Sequence, residues 1–429
     1  MAKARRKQQA HAPLQGLRVL DLSTMIAGPY AAQILADYGA DVIKIEPPDG
    51  DLMRRGGGAF NRPDMGPIHL QLNRNKRSLV LDLKQKTARM ALLRLCRRAD
   101  VLIHNTRPAA MRRLRLTDRD VRKVNPRIVY VSLMGYGENG PYAGKPAYDD
   151  LIQGISAIPA TLARAVGCEP RFVPVALADR VVGVNAAHAI LAALFRRQRA
   201  GKGQSIELPM FETMAQFVLG DHMGGRSFIP QHGPPGYFRL LLATRRPYVT
   251  RDGHVCALVY NDKHWQSFFA GLGRLDIYES KPHLAKFASR LEHFDEVYGL
   301  IADALRERTT AEALALFESC DIPCAPMHDL DSLIDDPHLA AVDFFQTMPH
   351  PTEGNVRYTG IPSRWNGHAL KITRHAPCVG EHSRAILKEA GMSARDIEAL
   401  LRSGATVDGA IKSGKAARSE RIAGKSPMS

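Results

Sequence analysis

Residues 17–46 read LRVLDLSTMIAGPYAAQILADYGADVIKIE, and this stretch decides the fold. The apolar run 17–22 reads as a buried strand. Residues 23–28 form a loop, and Pro29 suits the first turn of a helix. Residues 30–38 repeat apolar side chains with helical period, and Gly39 is a natural residue to follow a helix end. Residues 41–46, DVIKIE, read as a second strand. A strand–helix–strand unit implies a parallel pair joined by a right-handed crossover. The unit lacks G-x-G-x-x-G, so it is not a usual dinucleotide fingerprint.

Downstream the alternation continues. Residues 47–78 are rich in Gly, Pro, Asn and Arg and read as a long functional loop. Strands are expected at 79–83, 100–104 and 128–133. A helix is expected over 85–98, with Met90, Leu93 and Cys96/Arg97 marking its turns. Thr117 is placed to cap a further helix. A Gly-rich stretch, 135–141, precedes Tyr148-Asp149-Asp150 at the head of an apolar helix. The first two hundred residues therefore predict an α/β domain with a parallel sheet. Past about residue 216 the character changes. Residues 222–247 are irregular, and 248–249 with 255–260 suggest a small antiparallel sheet. Helices follow at 263–271, 294–308 and 311–319, the last capped by Thr310, and a final pair at 382–390 and 393–402.

Length favours two domains over a single core. No uninterrupted apolar run approaches the ~18 residues of a membrane span, and the basic opening MAKARRKQQAHAP has no apolar core behind it, unlike a secretory signal. The six cysteines are scattered without a CxxC pair, which argues against zinc and against a disulfide framework and favours a reducing cytoplasm. The net charge of +16 is unevenly placed. Residues 84–128 hold fourteen Lys/Arg against three Asp, and the two ends, 1–13 and 407–429, carry most of the remaining excess. The interior block calls for a polyanionic partner or for very basic, solvated helix faces. Arg94, Arg98 and Arg119 fit the solvated reading.

Residues 171–210 concentrate the chemistry. The run 172–178 leans towards a strand, a helix-period stretch extends to about 197, and 205–208 is strand-like again. Between the first two stands Asp179. A carboxylate between a strand end and a helix start suits anion chemistry at a ligand crevice. The plainer reading makes it a helix N-cap, and the local residues are compatible with both.

Several stretches, taken together, resemble the class III CoA-transferases, the formyl-CoA:oxalate and crotonobetaine type. They are PLQGLRVLDL (13–22), AGP (27–29), LADYGADVIKIE (35–46), NRNKRS (73–78), GYG with GP (135–137, 140–141), AD (178–179), GKGQ (201–204), IPCAP (322–326), DPH (336–338) and GEH (380–382). They run in order from residue 13 to about 404. The resemblance implies that Asp179 attacks an acyl-CoA thioester, giving aspartyl anhydride and aspartyl-CoA intermediates before CoA passes to a carboxylic acid acceptor. It implies CoA contacts at Met25, Ile26 and Ala27, at Leu72, Asn73, Arg74 and Asn75, at Asn105, Thr106 and Arg107, and at Arg113 and Leu114. Arg113 is the best phosphate candidate. Tyr148 matches a position near the thioester, although a lone Tyr is equally a core residue with a satisfied hydroxyl. CoA enters as substrate; no permanent cofactor, metal, membrane or specific nucleic acid is expected.

The implied architecture is a large Rossmann-like α/β domain built from both chain ends, 14–221 and 330–405. A smaller α+β domain with its linkers occupies 222–329. Disordered basic segments are expected at 1–13 and 406–429, and the assembly is an interlocked homodimer. Two departures matter. Pro47 stands where formyl-CoA transferases carry a basic residue, and residues 232–246 lack their run of glycines, so oxalate/formate specificity does not follow. An α-methylacyl-CoA racemase on the same fold is the nearest alternative. It would need a His where Tyr148 stands and a Glu where Asn261 stands, and a Tyr does not replace an imidazole as general base. A nucleic-acid binder is the alternative from charge alone, but no recognisable binding module supports it.

Overall fold

The computed structural model describes residues 12–58, 60–290 and 292–409. Apart from 12–13 and 406–409, the two basic end segments lie outside the described residues. The fold centres on six strands: β1 (Arg18–Asp21), β2 (Asp41–Glu46), β3 (Lys76–Val80), β4 (Val101–His104), β5 (Val129–Met134) and β6 (Ser205–Pro209). Their order is β3-β2-β1-β4-β5-β6, and every neighbouring pair is parallel. This is the doubly wound arrangement, with the switch point between β1 and β4.

Side chains alternate across the sheet. Leu20, Ile43, Ile45, Leu79 and Leu102 join one buried core. The helix α3 (Lys86–Cys96) and the C-terminal pair α13 (Ser383–Glu389) and α14 (Ala394–Arg402) cover it. The opposite face packs under α1 (Ala27–Asp37) and α8 (Leu177–Ala200), which also pack on each other. There the buried valines Val19, Val42 and Val80 interleave with buried Asp21, Lys44, Glu46, Lys76 and Ser78. By length and composition α8 is also suited to cross a membrane. Here it buries Ala178, Val182, Ala186 and Ile190 inside the protein.

The helices between are α2 (Pro67–Asn73), α4 (Pro108–Leu114), α5 (Asp118–Val124), α6 (Asp149–Ile155) and α7 (Ile158–Val166), with α9 (Met210–His222) after β6. Thr117 does cap α5, in a reciprocal box with Asp120.

The described chain divides into two compact units. One holds the described residues of Met1–Ile152, Ala176–Met214 and Asp343–Ser429; the other holds Gln153–Val175 and Ala215–Val342. The second unit thus includes 153–175, a segment outside the 222–329 span expected from sequence. It carries a three-stranded antiparallel sheet, β7 (Tyr248–Val249), β8 (His254–Ala257) and β9 (Cys324–Pro326). Around it lie α10 (Asp262–Gly271), α11 (Phe294–Arg306) and α12 (Thr310–Ser319). Phe268, Phe269, Trp265 and Phe317 form its core.

Four local expectations change. The run 172–178 is not a strand. Pro174 interrupts it, Phe172 and Val175 are exposed, and the Gln153 side chain takes the Val173 N–H that a neighbouring strand would otherwise bond. Helix α3 buries Ala88, Ala91, Leu92 and Leu95 together with the expected Cys96, with Leu93 against that core, but Met90 is exposed. β3 begins three residues early because Lys76 and Ser78 are buried polar residues inside it. Thr309, rather than Thr310, caps α12.

Candidate active site

The site is built where the sheet reverses. The chain leaves β1 into residues 22–26 and leaves β4 into Asn105–Arg107, side by side. Asn105 ties the two together: its Oδ1 accepts from the Thr24 N–H at 3.0 Å, and its Nδ2 donates to the Thr24 carbonyl at 2.8 Å. Met25 adopts a left-handed φ of 68°, a conformation costing on the order of 1 kcal/mol for a residue with a Cβ. It is held there by its N–H, which donates to Asp51 Oδ1 at 3.2 Å. Asp51 is in turn paired with buried Lys44 at 2.9 Å, and Lys44 also donates to the Ser23 carbonyl. Buried charges thus fix this loop from beneath.

Lys76 does the same for the start of α1. Its ammonium donates to Asp21 Oδ2 at 3.0 Å, to the Pro29 carbonyl at 2.8 Å and to Asn73 Oδ1 at 3.0 Å. Burial lowers its pKa to about 8, against the opposing pull of Asp21. Gly28 completes the corner. A Cβ there would lie 2.2 Å from the Ser23 Cβ, so only glycine lets α1 start against this loop.

Asp179 is the third residue of α8, whose N-cap is Ala176. It is therefore not an N-cap, and it does not follow a strand. The capping work is done by another carboxylate: Asp149 Oδ1 accepts the Asp179 N–H at 2.9 Å. One turn further on the same face, Gly183 meets α1. A Cβ there would stand 2.8 Å from the Ala27 carbonyl. Arg180 lies over the Tyr30 ring at 4.4 Å. The backbone of Ala27 and Gly28 is thus clasped between Ser23 and Gly183, with Asp179 on the face of α8 that meets α1. Asp179 is half-buried. Burial, then the nearby Asp149 charge, raises its pKa to about 7, with Arg180 opposing.

Asp149 was absent from the expected site, although Tyr148-Asp149-Asp150 was read as a helix start. Its position depends on Gly135, where a Cβ would be 2.4 Å from the Ala147 Cβ. The Gly-rich loop therefore seats the segment that delivers Asp149. Tyr148 itself points outward and is 60% exposed.

The other expected contacts separate into two groups. Met25, Ile26, Ala27, Asn105, Thr106 and Arg107 line the two loops at the switch point. Arg107 occupies the N-cap position of α4 without a side-chain capping bond, and Arg113 lies in its last turn; both are exposed. Leu114 packs against the core. Residues 72–75, by contrast, precede β3 and so enter the sheet at its other edge. Leu72 is buried. Asn73 bonds the His69 carbonyl and Lys76, and Arg74 is buried against Asp37 at 2.8 Å. Asn75 donates to Asp37 and accepts from the Thr373 and Arg374 N–H groups. These side chains are committed within the protein. In the second unit Asn261 is the N-cap of α10, accepting the His264 N–H at 2.8 Å.

Comparison with known proteins adds the following. The profile of CoA-transferase family III matches residues 14–383. The formyl-CoA:oxalate CoA-transferase of Streptomyces coelicolor is 30% identical, over 91% of this chain and 98% of its own. The succinate–glutarate CoA-transferase of Agrobacterium fabrum is 30% identical, over 88% of this chain and 95% of its own. The crystal structure of an aspartate-to-alanine mutant of Rv3272 from Mycobacterium tuberculosis matches with a TM-score of 0.74 at 28% identity. It covers 87% of this chain and 98% of that one.

Proposed function

This chain belongs to CoA-transferase family III, and on that premise we propose that it moves CoA from an acyl-CoA thioester to a carboxylic acid through covalent intermediates on Asp179. The observation that carries the reading is the setting of Asp179: half-buried, in the first turn of a 24-residue helix, beside the start of α1 at the sheet's switch point. A poorly hydrated carboxylate is a better nucleophile than a solvated one, and the helix N-terminus favours its ionised form.

The steps balance as follows. Asp179 attacks the thioester carbonyl, the C–S bond breaks, and CoA leaves as thiolate. The thiolate attacks the aspartyl carbonyl of the mixed anhydride, forming aspartyl-CoA and releasing the donor carboxylate. The acceptor carboxylate attacks aspartyl-CoA, and the thiolate leaves again. It then attacks the acceptor's acyl carbonyl, giving the new thioester and free Asp179. Each tetrahedral intermediate carries an oxyanion, for which first-turn N–H groups of α1 are suitable donors. Arg107 and Arg113 are suited to CoA phosphates.

Asn261, occupied as a helix cap, and exposed Tyr148 give no support to an α-proton transfer. The same reading takes the assembly as an interlocked homodimer, in keeping with Phe217 and Ile229, which are large, apolar and exposed in the single chain. Light scattering on the purified protein tests that. The catalytic reading is tested by incubation with a panel of acyl-CoAs and intact-mass analysis. An aspartyl-CoA adduct is expected on the native chain and none on Asp179→Ala, which should also lose exchange. Near-normal exchange by Asp179→Ala would overturn it.

A further inference from the structure

The second unit contains a cavity of about 590 Å³, well within the range of small-molecule sites. Its floor is the β8–β9 ladder. Cys256 on β8 pairs in register with Ala325 on β9, and the cavity is lined by both. Ala257 and Cys324, the next pair, border the cavity too but pack against the core. Period-2 alternation therefore turns Cys256 and Ala325 away from that core, and Cys256 is exposed. The walls bring Arg239, Arg245, Arg246 and Tyr298.

Three guanidinium groups line this space, and among the described residues no Asp or Glu does. Arg239 is half-buried, and its Nε donates to the Tyr298 hydroxyl at 3.1 Å. It lies about 6 Å from the rings of Tyr260 and Phe294. Its neighbours are thus hydroxyls and ring faces. Arg245 and Arg246 are exposed, and among the described residues neither has an ion-pair partner. The Thr244 hydroxyl, one residue before Arg245, donates to Asp295 at 2.7 Å. Three like charges around one concavity repel each other, and a fold that keeps them without a carboxylate favours an anion from outside. Guanidinium forks pair with carboxylate or phosphate oxygens in bidentate fashion. An open concavity of this volume is too small for a nucleic-acid groove.

We propose that this cavity is a binding site for a small organic dianion, held by Arg239, Arg245 and Arg246 over the β8–β9 floor. The shared chemistry is two anionic groups a few bonds apart. They could be the two carboxylates of a diacid or the phosphates of a nucleotide such as the 3′,5′-ADP end of CoA. The inference does not require Asp179 to be the nucleophile, and its test reads binding rather than turnover.

Cys256 supplies the reporter. The whole protein is labelled with N-ethylmaleimide, and Cys256 and Cys168, both exposed, are followed by peptide mass spectrometry. Glutarate and 3′,5′-ADP are the probes; glutaramide, uncharged and of similar shape, is the control. At least one dianion should slow Cys256 labelling fivefold or more while leaving Cys168 unchanged. Whichever probe protects identifies the source as carboxylate or phosphate. The double variant Arg245→Gln/Arg246→Gln should weaken that probe's affinity at least tenfold by calorimetry and abolish protection. Ala325→Asp, which adds an acid to the floor, should do the same and serves if the first variant folds poorly. Protection by neither dianion, equal protection by glutaramide, or affinity unchanged in the variants would each overturn the proposal.

Discussion

The carboxylate of Asp149 accepts the backbone N–H of Asp179 at 2.9 Å while its charge opposes ionisation of the Asp179 side chain. One residue thus supports the helix and restrains the nucleophile that we assign to it. With burial as the larger cause, the pKa of Asp179 stands at about 7. Activity that needs the ionised form should therefore rise with pH through that region.

Asp149→Asn keeps an oxygen to accept the Asp179 N–H and removes the charge. The acid limb of kcat/KM should move to lower pH, because Asp179 then ionises more easily. Asp149→Ala loses the acceptor as well, and should cost about 1 kcal/mol of stability. A pH–rate profile and urea unfolding separate the two. An unmoved acid limb in Asp149→Asn would remove Asp149 from the electrostatics of the site.

Asp179→Asn should be inactive and yet more stable at alkaline pH. A carboxyl whose folded pKa is raised binds its proton more tightly in the native state, so native stability falls as pH rises from about 4 to about 7. The asparagine variant escapes that loss. Its advantage should be absent near pH 4 and reach about 2 kcal/mol by pH 8, once solvent screening is allowed for. Paired denaturation curves at the two pH values measure it.

Gly183→Ala tests the contact between α1 and α8. The added methyl would meet the Ala27 carbonyl at 2.8 Å, and backbone cannot move aside as a side chain does. A loss of about 1–3 kcal/mol is expected, together with a fall in kcat, since Asp179 lies one turn away on the same face.

Lys76→Met leaves Asp21 charged, fully buried and short of its main partner. Breaking such a pair costs about 3–5 kcal/mol. Adding Asp21→Asn should restore part of that loss, with chemical unfolding as the measurement. The partial recovery distinguishes an uncompensated charge from a simple packing defect.

Arg107→Gln and Arg113→Gln alter exposed side chains and should leave unfolding unchanged. Each is expected to raise the KM for acyl-CoA several-fold, more steeply at low salt than at high salt. An unchanged KM in both would move the phosphate contact elsewhere.

Much of the sheet was legible because its strands obey simple rules. β2 falls at 41–46 as read, since the β-branched Val42, Ile43 and Ile45 stand between Gly39 and Pro47. The family was legible from short motifs in order. The strand expected at 172–178 failed because a β-leaning composition does not supply a partner ladder, and Pro174 removes a donor from its middle. Asp149 was missed for a different reason. Its role depends on a through-space bond to a residue 30 positions later, and no local pattern encodes that. The buried Lys76 and Lys44 were hidden likewise. A lysine in a strand reads as an edge or solvent-facing residue until the sheet order shows Asp21 and Asp51 beside it.

The apolar layer beneath β1, β2 and β3 is closed by Ile386, Leu387, Ile397 and Leu400, and the Thr406 hydroxyl donates to the Val80 carbonyl across 326 positions of chain. During synthesis at the ribosome Leu20, Ile43 and Leu92 must therefore wait uncovered until residues 383–406 have also been made. Such high contact order slows folding and lengthens exposure to aggregation. A premature stop before residue 383 would leave a chain carrying Asp179 and both switch-point loops but lacking α13 and α14 over its core, a substrate for chaperones and proteases rather than an enzyme.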